Sequence, residues 1–211
     1  MAHNVHVDSL ATSSALAGYY VANIVLPQDV IRVLNREGIR FVLVGAHGIG
    51  GWTGEPRATQ DVDVVVGVKL QKKAVRVLLH HFPHLIADDQ EVVTRLRDKE
   101  TKKVLIDVMK ANQPLYREAF KYTHKVETGK VSYLIPCLEM ALAMKFAPMI
   151  SLTREDDRKH LDARDFIRIV RENANIDEKK LEELGQLVYN GGGQEILELV
   201  RKVRAGEKLV L

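Results

Sequence analysis

The apolar positions of the chain fall into two textures. Over residues 27–135 short apolar runs alternate with polar or glycine breaks, whereas beyond Pro136 apolar residues recur every three or four positions. Val30, Ile31, Val33 and Leu34 follow Pro27 at helical spacing and Gly38 closes the run, which predicts a first helix. Residues 39–44 predict a buried strand. Gly45, Gly48, Gly50, Gly51 and Gly54 then break the pattern, predicting a loop that enters a short helix near residues 49–52 and stops at Pro56. A strand over 61–66 and an amphipathic helix over 70–81 follow, the helix with Lys69, Lys72, Lys73 and Arg76 on its wet side. Residues 91–97 and 103–109 alternate around the polar turn 98–101, the pattern of a hairpin. A short helix over 114–121 and a last strand over 131–135 complete this half. Helical periodicity then covers 138–149, 156–171, 177–189 and 194–204, separated by Asn, Gly and Ser. Residues 1–25 are rich in Ser, Ala and Thr and predict only a weak helix through 17–20, capped by Asp8 or Ser9.

This order predicts an α+β fold. A small mixed β-sheet core over 26–135, flanked by helices, would follow an N-terminal extension over 1–25 and precede a helical C-terminal domain over 136–211. With 211 residues, 46% apolar and 28% charged, the chain can bury one substantial core or two small ones. The net charge of +3 is too mild to argue for nucleic acid by itself. Cys137 stands alone, which excludes an intramolecular disulfide and a cysteine-rich zinc site and fits a reducing cytosol. No apolar window approaches ~18 residues and no secretory leader is visible, so the expectation is a cytoplasmic protein without a membrane partner.

The chemistry concentrates in residues 42–66. Asp61 and Asp63 lie on one face of a strand otherwise made of valine, since alternate residues share a side. Two carboxylates about 7 Å apart repel unless a cation sits between them. Asp107 is a third lone acid in an apolar strand, Val104-Leu105-Ile106-Asp107-Val108-Met109, where an ionised carboxylate must be paired, protonated or bound to metal. Were that strand beside the first, three carboxylates would converge as hard oxygen ligands for two Mg²⁺ ions, or Mn²⁺, ~3.5–4 Å apart. Glycine-exposed backbone N–H groups ahead of them suit phosphate oxygens. Metals beside a phosphate cradle imply phosphoryl or nucleotidyl transfer.

Val44-Gly45-Ala46, then Arg57-Ala58-Thr59-Gln60-Asp61-Val62-Asp63, and a later lone Asp107 resemble the DNA polymerase β-type nucleotidyltransferase superfamily. The Arg-x-Thr-x-Asp-x-Asp run and the downstream helices are similar to its minimal nucleotidyltransferases and AbiEii-type toxins, over roughly residues 26 to 170. The resemblance implies that Asp61 and Asp63 bind both metals and that Asp107 completes the site and acts on the attacking hydroxyl. It implies that Gly45 and its neighbours hold the triphosphate of an NTP, ATP first among them, and it places a toxin-antitoxin role among the functions to consider. Where the family shows Gly-Gly or Gly-Ser, this chain has Gly45-Ala46, which removes a hydroxyl able to touch phosphate. Residues 139–145 and 158–165 are similar to the family's helical pair, in which a lysine, here Lys145, faces the cleft. From its apolar stripe Lys145 would either snorkel to water or reach a phosphate.

The acceptor is open: a tRNA end, a protein side chain or a small alcohol such as an aminoglycoside all suit such a site. A degenerate relative that binds nucleotide or a partner without transfer is the alternative, motivated by Ala46. A dehalogenase-type phosphatase would leave Arg57, Thr59 and the glycines unexplained. His47 receives no role. Trp52 reads as a packing anchor, and Gly191-Gly192-Gly193 as a helix terminator because no Lys-Ser/Thr follows. His80, His81 and His84 make a poor zinc site because Pro83 interrupts their helix. The basic residues of 69–76 and 95–103 are solvated faces, and the first places to seek phosphate contacts were the second substrate RNA.

Overall fold

The computed structural model describes residues 24–55, 57–129 and 131–209. The helix expected over 17–20 and the stop expected at Pro56 lie outside the described residues. The chain divides into two compact units. One holds the described part of Met1–Gly51 together with Glu55–Pro136, the other Trp52–Gly54 and Cys137–Leu211.

In the first unit, helix α1 (Pro27–Arg36) has proline in its first turn, Asp29 near its start and Arg36 in its last turn, as the helix dipole favours. Strand β1 (Phe41–Leu43) leads directly into helix α2 (Gly45–Ile49). Strand β2 (Val62–Val66) is followed by a 3-10 turn and helix α3 (Gln71–His81). Strands β3 (Leu85–Asp89), β4 (Val93–Asp98) and β5 (Val104–Lys110) come next. Helix α4 (Pro114–Glu118) and strands β6 (Thr123–Thr128) and β7 (Val131–Pro136) close the unit. The described strands make one seven-stranded sheet in the order β3-β4-β5-β2-β1-β7-β6. It is mixed: β2 runs parallel to β5 and β1 parallel to β7, and the other neighbours are antiparallel. The α+β architecture expected from the patterning is therefore present.

Alternation along the strands sorts the sheet into two faces. Val62, Val64 and Val66 of β2 join Phe41, Leu43, Ile106 and Val108 in one buried cluster with Ile31 and Leu34 of α1 and Ala74 and Leu78 of α3. Asp63 and Asp107, of the opposite parity, belong to the other face. Between α3 and the sheet, buried Gln71 donates Nε2 to Thr94 Oγ1 at 2.9 Å and to the Val108 carbonyl at 3.2 Å. The β4–β5 turn was legible because Asp98 closes it locally, its Oδ1 accepting from the amides of Glu100 (3.0 Å) and Thr101 (2.7 Å).

Three local expectations are corrected. The short helix starts at Gly45 rather than near residue 49, because the chain turns helical as soon as β1 ends. Strands β3 and β6, absent from the expected order, are the sheet's two edges. Both are largely exposed, with one buried residue each, Leu85 and Val126, so neither shows the alternation of a half-buried strand.

The second unit consists of helices α5 (Leu138–Met149), α6 (Asp156–Glu172), α7 (Glu178–Gln186) and α8 (Gly192–Arg204). Helix α5 is buried on all sides from Leu138 to Phe146, as expected of a near-continuous apolar stretch. Asp177 caps α7, accepting from the Lys180 amide at 3.1 Å. The third correction falls on the triple glycine, which opens α8 instead of ending a helix. A Cβ on Gly192 would lie 2.5 Å from the Gly185 carbonyl oxygen, so bare backbone lets α7 and α8 touch. No helix among the described residues is long and apolar enough to cross a membrane.

Candidate active site

Where β1 ends, the Val44 amide still donates to the Asp63 carbonyl at 2.9 Å, which holds the start of α2 against β2. Gly45 takes a left-handed φ of +60°, and a Cβ there would stand 1.8 Å from Asp63 Oδ2. Only glycine lets this turn pass beside the carboxylate. Gly48 makes a second close approach: its Cβ would lie 2.3 Å from the Leu43 carbonyl oxygen, so α2 folds back tightly over the strand it leaves.

The parallel pairing of β2 with β5 puts Asp63 directly opposite Asp107. The row continues across the sheet, Asp107 opposite Arg95 of β4 and Arg95 opposite Asp88 of β3. Four charged side chains thus stand in register on the face turned away from α1 and α3. Arg95 Nε lies 3.9 Å from Asp107 Oδ1, an ion pair too long for a hydrogen bond. Asp88 is drawn instead to Arg97, whose Nε lies 3.1 Å from Asp88 Oδ2. Sequence reading placed Arg95 among solvated basic residues. Its alternation within β4 was visible, but the neighbour it meets depends on strand order.

Asp61 sits one residue before β2 and accepts a short hydrogen bond from the Thr59 hydroxyl. Arg57, half-buried on the same loop, donates Nη1 to the Ala58 carbonyl at 3.4 Å. The structure therefore pairs Asp63 with Asp107 and sets Gly45 against Asp63, while Asp61, just before β2, bonds Thr59 and lies near enough to His47 for its charge to act on that ring. Among the described residues no three His, Cys, Asp or Glu side chains are gathered closely enough to hold a metal ion, at the three aspartates or at His80, His81 and His84. The aspartates nonetheless fit a hard divalent cation in donor type, all oxygen, and in the registered pairing of two of them.

Ala46 is buried at 4% exposure, so a hydroxyl at that position would be enclosed too. His47, at 2% exposure, has its pKa pushed down to about 4, chiefly by burial; the Asp61 charge opposes this and the Arg57 charge adds to it. The ring is neutral at pH 7, and its Nδ1 is enclosed without a hydrogen-bond partner.

Lys145 lies in the second unit, where it is buried and does not snorkel to water. Its ammonium is buried between Asp162 Oδ1 (3.1 Å) and Asp165 Oδ2 (2.7 Å), and Arg154 Nη2 approaches Asp162 Oδ2 at 2.7 Å. Two cations and two carboxylates thus compensate one another. Trp52 belongs to this unit as well, its carbonyl accepting from Asn173 Nδ2 at 2.7 Å. Cys137 is a buried thiol pushed up to about 11 by burial, as suits a core residue and not a nucleophile.

No family model and no curated protein matches the chain. Among solved structures it is similar to an antigenic nucleotidyltransferase-like protein from Paracoccidioides brasiliensis at 18% identity and a TM-score of 0.52, over 96% of this chain and 95% of that one. A lincomycin-bound lincosamide antibiotic adenylyltransferase, LnuA, aligns at 13% identity and a TM-score of 0.48, over 72% of this chain and 99% of that one. A GTP-bound terminal uridylyl transferase 4 from Trypanosoma brucei aligns at 12% identity and a TM-score of 0.33, over 81% and 56%.

Proposed function

From the nucleotidyltransferase-like fold of this chain, we propose that it moves a nucleoside monophosphate from an NTP, ATP in the first instance, to an acceptor hydroxyl. The observation that carries the reading is the registered pair Asp63 and Asp107 with the bare Gly45 backbone against Asp63. Asp107 accepts the proton of the acceptor hydroxyl. The acceptor oxygen bonds to the α-phosphorus as the bond from that phosphorus to the α–β bridging oxygen breaks, and pyrophosphate departs. Backbone N–H groups of Gly45 and Ala46, which precede the first intrahelical bond from Gly48 to Val44, receive phosphate oxygens. Arg57 supplies positive charge to the phosphates, and Thr59 holds Asp61 in place. Mg²⁺ or Mn²⁺, two ions held by Asp61, Asp63 and Asp107, would neutralise phosphate charge and lower the pKa of the hydroxyl. In this reading Lys145, already compensated by Asp162 and Asp165, acts first on the helical unit's own stability, and any phosphate contact it makes is secondary.

The acceptor remains one of three classes here: an RNA end such as that of tRNA, a protein side chain or a small alcohol. The reading is tested by incubating the protein with α-labelled NTPs, Mg²⁺ and cell extract. Asp107→Asn is expected to lower label transfer by about 10²–10⁴-fold, the scale of a lost proton acceptor, and Asp63→Asn to lower it comparably by removing a carboxylate that would hold the cation. Transfer of no NTP by the wild type, or wild-type levels of transfer by both variants, would sink it. Ala46, standing where the resembled superfamily carries Gly or Ser, favours a second reading, nucleotide binding without transfer. Calorimetry showing ATP binding indifferent to Mg²⁺, with no turnover, would select it.

A further inference from the structure

The registered row of charges has a direction. Gly45 and Asp63 lie at one end, Asp107 next, and Arg95 beyond Asp107 on the side away from Gly45. Arg95 is placed between two aspartates yet hydrogen-bonds to neither. Asp88 is taken by Arg97 at 3.1 Å and by Gln90 Nε2 at 3.1 Å, and Asp107 stays 3.9 Å away. Arg95 Nε is enclosed without a hydrogen-bond partner while its side chain as a whole keeps 36% of its exposure. A guanidinium in that position has donors still to place, next to the carboxylate that would receive the acceptor's proton.

The surrounding hairpin adds to this charge. Residues 95–103 carry five cations, Arg95, Arg97, Lys99, Lys102 and Lys103, against two acids, Asp98 and Glu100, and of the five Arg97 is compensated by Asp88 of β3. Asp98 is turned into its own loop, accepting from the amides of Glu100 and Thr101. Lys99 and Lys102 donate to the carbonyls of Pro83 and Lys99, each at 2.6 Å, contacts that leave their charge in place. A cationic acceptor such as an aminoglycoside would meet like charge along this hairpin, and an anionic one would be drawn to it.

We propose that Arg95 is an anion subsite for the acceptor, binding a phosphate ester carried by the same molecule as the attacking hydroxyl. This rests on the nucleotidyl-transfer reading and narrows its acceptor to a phosphate-bearing one, a nucleotide or an RNA 3′ end. The NTP occupies the Gly45 and Asp63 side of the row, the hydroxyl faces Asp107, and the acceptor's phosphate lies one strand further on, about 4.8 Å across the sheet. Arg95 is then a specificity residue, contacting the acceptor without taking part in proton transfer.

The test uses the full chain, a fluorescein-labelled short RNA with a free 3′ hydroxyl, and adenosine 5′-monophosphate as competitor. Anisotropy titrations across a salt series are expected to show RNA binding by the wild type. Arg95→Gln should weaken it about tenfold and flatten the log–log salt slope by about one, while Arg95→Lys keeps the slope. Displacement of the RNA by the monophosphate assigns a single nucleotide's phosphate ester to Arg95; RNA binding that resists it assigns the strand. The proposal is overturned by equal affinity and slope in wild type and Arg95→Gln, by equal losses in Arg95→Gln and Arg95→Lys, or by a wild type that binds neither probe. ATP binding is measured separately by calorimetry. Its absence in the wild type would remove the nucleotidyl-transfer reading while the RNA titrations still report on Arg95.

Discussion

Replacing Gly45 by alanine tests the part of the site where backbone and carboxylate meet. The new Cβ would stand 1.8 Å from Asp63 Oδ2, 2.6 Å from its Cγ and 3.0 Å from its Cβ. A comfortable carbon–oxygen contact is about 3.5 Å, so the carboxylate must withdraw by roughly 3.5 minus 1.8, or about 1.7 Å. Misplacing a reacting group by ~1 Å costs ~10²-fold in rate, so Gly45→Ala should lose at least about that much transfer activity. The left-handed φ adds a backbone cost of about 1–2 kcal/mol, which for a chain of this size lowers the melting temperature by about 2–8 °C. Gly38→Ala is the control: its φ is +62° and nothing lies within 4 Å of the added Cβ. It should melt lower by a similar amount and keep its activity. The assay pairs label transfer from α-labelled NTP with thermal melting by circular dichroism for both variants. Equal transfer by Gly45→Ala and Gly38→Ala would refute the reasoning, because it would mean that the Asp63 carboxylate need not stay where Gly45 permits it.

Two further outcomes follow from the buried charges. His47 titrates near 6.5 when unfolded and at about 4 when folded, so the unfolded chain binds the extra proton in that interval. Stability is then fully present above pH 6.5 and falls as the pH drops toward 4, by at most roughly 3 kcal/mol. Urea midpoints of wild type and His47→Gln, measured between neutral and acid pH, should converge or cross; parallel curves would show that this histidine does not carry the dependence. Lys145→Met leaves Asp162 and Asp165 enclosed without their shared ammonium, and unfolding should become easier by about 3–5 kcal/mol. An unchanged urea midpoint would mean that the lysine is not needed to compensate the two acids.

Much of the architecture was legible because it depends on local periodicity. The apolar spacing behind Pro27, the valines of β2, the alternation on either side of the Asp98 turn and the long apolar run of α5 each predict their own element. Resemblance in the Arg57 to Asp63 run pointed to the nucleotidyltransferase-like fold that the comparison with solved structures supports. The edge strands β3 and β6 were not legible. Ile86, Ala87 and Asp89 are exposed, as are His124, Lys125, Glu127 and Thr128, and an edge strand that buries a single residue, Leu85 in β3 or Val126 in β6, leaves no alternation to read. The helix at Gly45 was misplaced for another reason: glycines disfavour helix by propensity, and only the close approaches to Leu43 and Asp63 explain a helix built on them.

Residue type and parity determined that Asp61, Asp63 and Asp107 were acids in need of partners, since an apolar strand offers a carboxylate little else. Which groups they meet was decided by strand order alone. Register placed Asp107 between Asp63 and Arg95: the hairpin already set the strand of Arg95, 12 positions away, beside that of Asp107, but no local pattern encodes the pairing with Asp63, 44 positions away. The fate of Lys145 was likewise tertiary: its apolar stripe announced burial, but only the packing of α5 against α6 supplied the two carboxylates that hold it.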